Sequence, residues 1–359
     1  MAEDNLYEKQ EYFRALNGWR FIFSLLMIVH HLPESWKESF KNYDFGNTIV
    51  LFFFILSGFL LTRGYYEKLL MGKIKYKGFI VKRISTIFPL QWLLTLLFVL
   101  FSINVVTYWA IPFNLTLTQS LVPFLEINFT MNTPAWFLSS IFICYLLTPL
   151  VFRFLANYKF NFLLIYLCIV VTYNLFVLLL PDNIGTRWLC YINPFARLID
   201  FSVGILFALY WDEINKIFQG ILKNNILATI FELLVIGAVF FFFAYEPIQE
   251  FNNYTVLRYP VIILFIIVFA LSFGFVTKIL SLKLFQKLGD LSIAIYMTHA
   301  FVLYFTKKIE VSCVGVNVFL TFVFTLLFAY ILIQYYCPYC QQQILKIFSS
   351  HKNNEKVIE

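Results

Sequence analysis

Largely apolar stretches of about 20 residues follow one another along this chain, from NGWRFIFSLLMIVHHLP near its start to VFLTFVFTLLFAYILIQ near its end. About 20 such residues are what a helix needs to cross the hydrocarbon of a bilayer. Ten stretches qualify, centred on 17–33, 47–62, 85–106, 135–155, 161–180, 194–210, 226–244, 259–276, 289–306 and 314–336. They are continuously apolar and lack the ten-residue alternation of a membrane barrel, so helices are expected. Composition agrees: 61% of the 359 residues are hydrophobic and 13% charged. A soluble fold of this size could not cover so much apolar surface, and disorder is excluded by the same figures. The expected fold class is all-α, a polytopic membrane protein of about ten transmembrane helices whose chief surroundings are the lipid bilayer.

The net charge of +7 is a topological signal here and not a nucleic-acid footprint, because apolar spans separate the cations. With the N-terminus inside, 19 Lys and Arg fall on the interior side and 6 on the exterior, with Arg20 and Arg197 in or at helices. That bias predicts cytoplasmic N- and C-termini. The domain reading is one membrane domain over 1–336 and a short polar cytoplasmic tail over 337–359. The N-terminus has no apolar core or cleavage site of the kind a secretory signal carries. Cys337 and Cys340 have CxxC spacing, but no second pair or His ligand accompanies them.

Ionisable groups within apolar helices carry the functional expectations. Arg20 and His31 are eleven residues apart, three helical turns plus about 20°, so they share a face with about 16 Å between them. His30 lies about 80° off that stripe. A cation at one end and a titratable imidazole at the other suit an anionic ligand and acid–base chemistry. A snorkelling Arg and a boundary His fit the same spacing. His299, ten residues into the ninth stretch, is either a satisfied interior His or a catalytic one. Arg197 and Asp200 are three apart and expected to pair. Ser57-Gly58 is expected to allow close helix approach. Lys82 and Arg83 close the basic segment 63–83, where anionic lipid or a phosphate-rich cofactor would be attracted. No Walker loop, GxGxxG, GxSxG or HExxH is present, so ATP hydrolysis and metal catalysis find no support.

Read together, these residues resemble the acyltransferase family 3 membrane proteins, which O-acylate bacterial surface sugars. The resemblance spans nearly the whole chain. It runs through LNGWR…HHL with Arg20-X10-His31, FFFILSGFLL, FIVKRISTIFPLQWL, NTPAWFLSS, RLIDFSVGIL and GDLSIAIYMTHAF. It implies an acyl-CoA donor, most often acetyl-CoA, as co-substrate with no permanently bound cofactor or metal. It also implies a glycan or lipid-linked sugar acceptor and a bacterial inner-membrane location. By the same resemblance His31 is a base or transient acyl carrier, and His299 is catalytic. Arg20, Lys82 and Arg83 would hold CoA phosphates, and Ser57, Trp136 and Asp200 would line the reaction chamber. Two departures stand out. Thr86 occupies a position where many members have a second Arg, and no Glu follows Trp136 closely. A polysaccharide or lipid-linked sugar transporter is the alternative, although paired Gly or Pro breaks are missing.

Overall fold

The computed structural model describes residues 13–38, 43, 45–104, 107–178, 188–221, 224–244, 258–271, 274–309 and 311–355. Lys9, Lys41, Arg187, Lys223 and Lys356, which entered the charge count above, lie outside the described residues. In chain order the α-helices are α1 (Arg14–His31), α2 (Phe45–Leu70), α3 (Tyr76–Leu100), α4 (Ile111–Thr116) and α5 (Leu125–Phe129). There follow α6 (Ala135–Leu178), α7 (Pro194–Leu209), α8 (Trp211–Ile221), α9 (Asn225–Ala244) and α10 (Arg258–Ala270). The last five are α11 (Phe275–Leu280), α12 (Lys283–Asp290), α13 (Ser292–Ile309), α14 (Val314–Ile331) and α15 (Cys337–Glu355). No strand occurs among the described residues. The all-α expectation therefore holds, and the physical reason is that a helix satisfies its own backbone polar groups where water cannot.

Six helices are long and apolar enough to cross a membrane, or seven if the bent pair α12–α13 counts as one span. They match the expected stretches at α2, α3, the first half of α6, α7 with the turn before it, α9 and the joined α14–α15. The other expected spans differ for identifiable reasons. In α1 the apolar run is diluted by Arg14, Asn17, Arg20, His30 and His31. α10 has only 13 residues. The stretch 161–180 is not a separate helix: α6 runs unbroken for 44 residues, about 66 Å at 1.5 Å per residue. The intervening LANYKFNFLL contains neither Gly nor Pro, so nothing in it stops a helix. Residues 337–355 are likewise helical, reached through a π-helical turn at Leu332–Tyr336, and α15 packs along α3.

The chain forms two compact units. The first comprises Met1–Arg63, Leu167–Leu179 and Asp200–Tyr296. Within it α1 packs on α10, α11 and α12. Trp19 meets Phe265 and Phe269 at 4.8 and 5.1 Å between ring centroids, and Phe23 meets Phe52 at 4.6 Å. Gly58 of α2 and Gly204 of α7 sit where the helix backbones touch: a Cβ at Gly58 would collide with the Phe201 carbonyl oxygen, and one at Gly204 with that of Ile55. Ser57-Gly58 is thus a close-packing position, as expected. Glu232 of α9, 1% exposed, caps α11 by accepting the N–H groups of Val276 and Thr277 at 2.9 and 3.2 Å. A carboxylate at a helix N-terminus satisfies donors that no intrahelical carbonyl reaches.

The second unit comprises Gly64–Tyr166, Leu180–Ile199 and Met297–Glu359. Its non-helical parts are held by buried side chains. Ser139 donates to the Leu117 carbonyl at 2.8 Å and pairs with Ser120 at 2.7 Å. Gln119 donates to Ala135 O at 3.1 Å, and Asn104 binds the carbonyls of Phe129 and Met131 at 2.7 and 3.0 Å. Thr306 and Thr321 join α13 to α14 at 2.9 Å.

A Gly204→Ala substitution is expected to destabilise the protein by about 3 kcal/mol or more, since backbone cannot yield as a side-chain tip does. Gly237→Ala, with nothing near the added carbon, is expected to be neutral or slightly stabilising. Thermal unfolding of the two variants in detergent checks both.

Candidate functional site

Arg20 and His31 project from α1 and are both half-buried. The N-terminal turns of α1 hold a polar bracket. Arg20 Nη1 donates to Asn17 Oδ1 at 3.0 Å. Asn17 in turn donates its amide to the Gln286 carbonyl at 3.0 Å and to Asp290 Oδ1 at 3.1 Å. Gln286 reaches back to the Arg14 and Leu280 carbonyls at 2.9 and 2.8 Å. Gly289 lies under Asn17 with no room for a Cβ. The guanidinium is therefore held in part by an amide that is itself fixed on α12.

At the other end of α1, His31 Nδ1 lies 2.9 Å from the Met27 carbonyl oxygen. A carbonyl only accepts, so in the neutral ring Nδ1 carries the proton and the lone pair resides on Nε2. Backbone thus selects the tautomer that a general base needs, a task often given to a carboxylate. His30 turns elsewhere: a Cβ at Gly46 would come within 2.8 Å of its Nε2. Lys37 closes this end of α1, donating to the His30 carbonyl at 2.9 Å and pairing with Glu34 at 3.1 Å.

In the second unit, Arg83 is held by rings. Its guanidinium carbon lies 4.7 Å from the centroid of Tyr65 and 5.2 Å from those of Phe79 and Tyr145. Lys82 Nζ is 5.8 Å from the same Tyr65 ring. Thr86, one turn on, bonds the Lys82 carbonyl at 2.8 Å and adds no charge. His299 is fully buried and Trp136 5% exposed. Trp136 meets Tyr191 at 4.7 Å between ring centroids with the rings tilted, and the Arg197 guanidinium lies 5.5 Å from the same Tyr191 ring. Asn132 donates to the Met297 carbonyl at 3.1 Å, which fastens the NTPAW segment to the helix that carries His299.

A family model described as an acyltransferase domain, of family 3, matches residues 13–334. The chain belongs to that family. Searches of curated proteins and of solved structures returned no match. Family membership makes this a multi-pass membrane acyltransferase, so the transporter alternative loses its ground.

In this acyltransferase the geometry assembles the expected residues in two sets. Arg20, His31, Ser57 and Asp200 belong to the first unit; Lys82, Arg83, Trp136 and His299 belong to the second. Ser57 is half-buried on α2 beside its packing glycine. Asp200, 2% exposed, accepts a hydrogen bond from Tyr259 Oη. Arg197 donates to the Cys190 carbonyl at 2.7 Å, so both members of the expected Arg197–Asp200 pair have partners beyond each other. Sequence reasoning missed Asn17, Tyr65, Tyr191, Glu232 and Tyr259. Only Asn17 carried a usable signal, standing three residues before Arg20 on the same helix face.

Asn17→Ala frees Arg20 from its bracket and is expected to lower acyl transfer about tenfold, the worth of one hydrogen bond to a charged group. Initial rates of the purified variant, with circular dichroism to establish folding, check this.

Proposed function

We propose that this acyltransferase moves an acetyl group from acetyl-CoA, taken from the cytoplasmic side, to a sugar hydroxyl of a cell-surface or exported polysaccharide in a bacterial inner membrane. The observation that carries the proposal is the His31 Nδ1 contact with Met27 O, which places the basic lone pair on Nε2. His31 Nε2 takes the proton of the acceptor hydroxyl as its oxygen bonds to the thioester carbonyl carbon. The tetrahedral adduct then loses the thiolate: the C–S bond breaks, the sulfur takes the proton from the imidazolium, and an ester and free CoA thiol leave. Atoms and charge balance without a metal or redox partner.

Arg20, pre-oriented by Asn17, and the pair Lys82 and Arg83 bind donor phosphates. Ser57 and Asp200 of the first unit, and Trp136 and His299 of the second, are the further residues assigned to acceptor and thioester, with His299 polarising the carbonyl. About 16 Å of helix between Arg20 and His31 suits a donor whose phosphates sit well away from its thioester. The sidedness of the basic segment 63–83 supports cytoplasmic delivery of the donor.

Purified protein in nanodiscs, supplied with labelled acetyl-CoA and a glycan acceptor, tests the reading. His31→Ala is expected to lower transfer about 10²- to 10⁴-fold, the usual weight of general acid–base catalysis, while CoA binding persists. Transfer at the normal rate by that variant would sink the assignment. Surface glycans from cells with and without the protein should differ in ester-linked acetyl groups.

A further inference from the structure

The Tyr65 ring gathers more positive charge than Lys82 and Arg83 alone. Lys68 Nζ, on α2, stands 5.9 Å from its centroid, beside Lys82 at 5.8 Å and Arg83 at 4.7 Å. Three cations from two helices thus converge on one side chain. Among the described residues no carboxylate pairs with any of these three. Arg83 Nε is buried and has no hydrogen-bond partner among the described residues. Ring faces compensate cations only in part, and like charges gathered around one ring repel each other. Such an arrangement is stable when an anion of several charges sits among them. A single carboxylate would neutralise one cation and leave two.

We infer that Lys68, with Tyr65 as its support, is the third cation of a polyphosphate subsite formed with Lys82 and Arg83, and that it supplies the charge that Thr86 does not. The inference rests on the proposed CoA donor and names the residues of this chain that read its phosphates. Thr86 lies three residues beyond Arg83 on α3, is exposed, and turns its hydroxyl onto the Lys82 carbonyl. α3 therefore offers two cations on this face, and the third comes from the end of α2. Lys68 is half-buried, with its ammonium over the Tyr65 ring, so that the charge stays on the ring the other two cations share. A diphosphate with a further phosphomonoester, as CoA carries, brings about four negative charges, enough to engage all three cations, and can be gripped by the Arg fork and two ammonium groups together.

The test is direct binding of CoA and of dephospho-CoA, which lacks the phosphomonoester, to the purified full-length protein in nanodiscs, alongside acetyl-transfer kinetics. Lys68→Ala is expected to weaken CoA binding roughly tenfold, the value of one charge-assisted contact, with the loss falling on KM for the donor more than on kcat. Lys68→Arg should retain affinity. Thr86→Arg placed in the Lys68→Ala protein should restore most of it, which a merely structural role for Lys68 would not allow. Dephospho-CoA should discriminate less between wild type and Lys68→Ala. If Lys68→Ala binds CoA as wild type does, the subsite is overturned while the donor reading stands. If wild type fails to bind CoA at all, the donor reading falls and takes the subsite with it. If the defect appears in phosphatidylglycerol nanodiscs but not in phosphatidylcholine ones, the cations serve lipid headgroups and the inference is overturned.

Discussion

A polar atom that leaves water must find its partner inside the protein, and the packing of the described helices follows from that requirement. Hydrophobic burial does little to hold helices together in lipid, whose tails are as apolar as leucine. Close approach and buried hydrogen bonds must supply the association. Asn17 fastens α1 to α12, Glu232 fastens α9 to α11, and Tyr259 binds Asp200. Ser120 and Ser139 do the same for the segment between α3 and α6. Where backbones touch, at Gly58 and Gly204, the residues are those without a Cβ. Mutual dependence results: the glycines permit the distance at which the hydrogen bonds form.

The first helix shows how function bears on this economy. Its apolar face carries Trp19, Phe23 and Met27 into a cluster of aromatic rings. Its remaining face carries Arg20 and His31, and each is oriented by a neighbour within four residues: Asn17 Oδ1 for the guanidinium, the Met27 carbonyl for the imidazole. Partners of this kind hold a side chain through its own helix, and for Arg20 that partner is itself braced on α12. The same polar residues dilute the helix until it no longer reads as a simple membrane span. α1 is stabilised by its fit against α10, α11 and α12, and not by hydropathy alone.

Two features go beyond what the sequence-based expectation could state. Arg197 and Asp200, three apart, have the spacing for an ion pair, and in addition Arg197 reaches the Cys190 carbonyl and Tyr191 while Asp200 receives Tyr259. Spacing states which groups can meet along one helix. It cannot register a carbonyl or phenol brought in by another segment. The long α6 is the converse case: two apolar stretches look like two spans, but without Gly or Pro between them the helix has no reason to end.

The sequence by itself determined the helical class, because apolar runs of bilayer length leave the backbone no other way to satisfy itself. It also determined the shared face of Arg20 and His31, since helical periodicity is a local property, and the family, since its motifs are contiguous. Tertiary structure alone decided that Asn17, which holds Arg20, is itself fixed by Gln286 of α12, 269 positions away. It alone placed Lys68 beside Arg83 around Tyr65 and made Glu232 the cap of α11. These depend on which helix lies beside which. Side chains distant in sequence become partners only after packing has brought their helices together, and no local spacing encodes that choice.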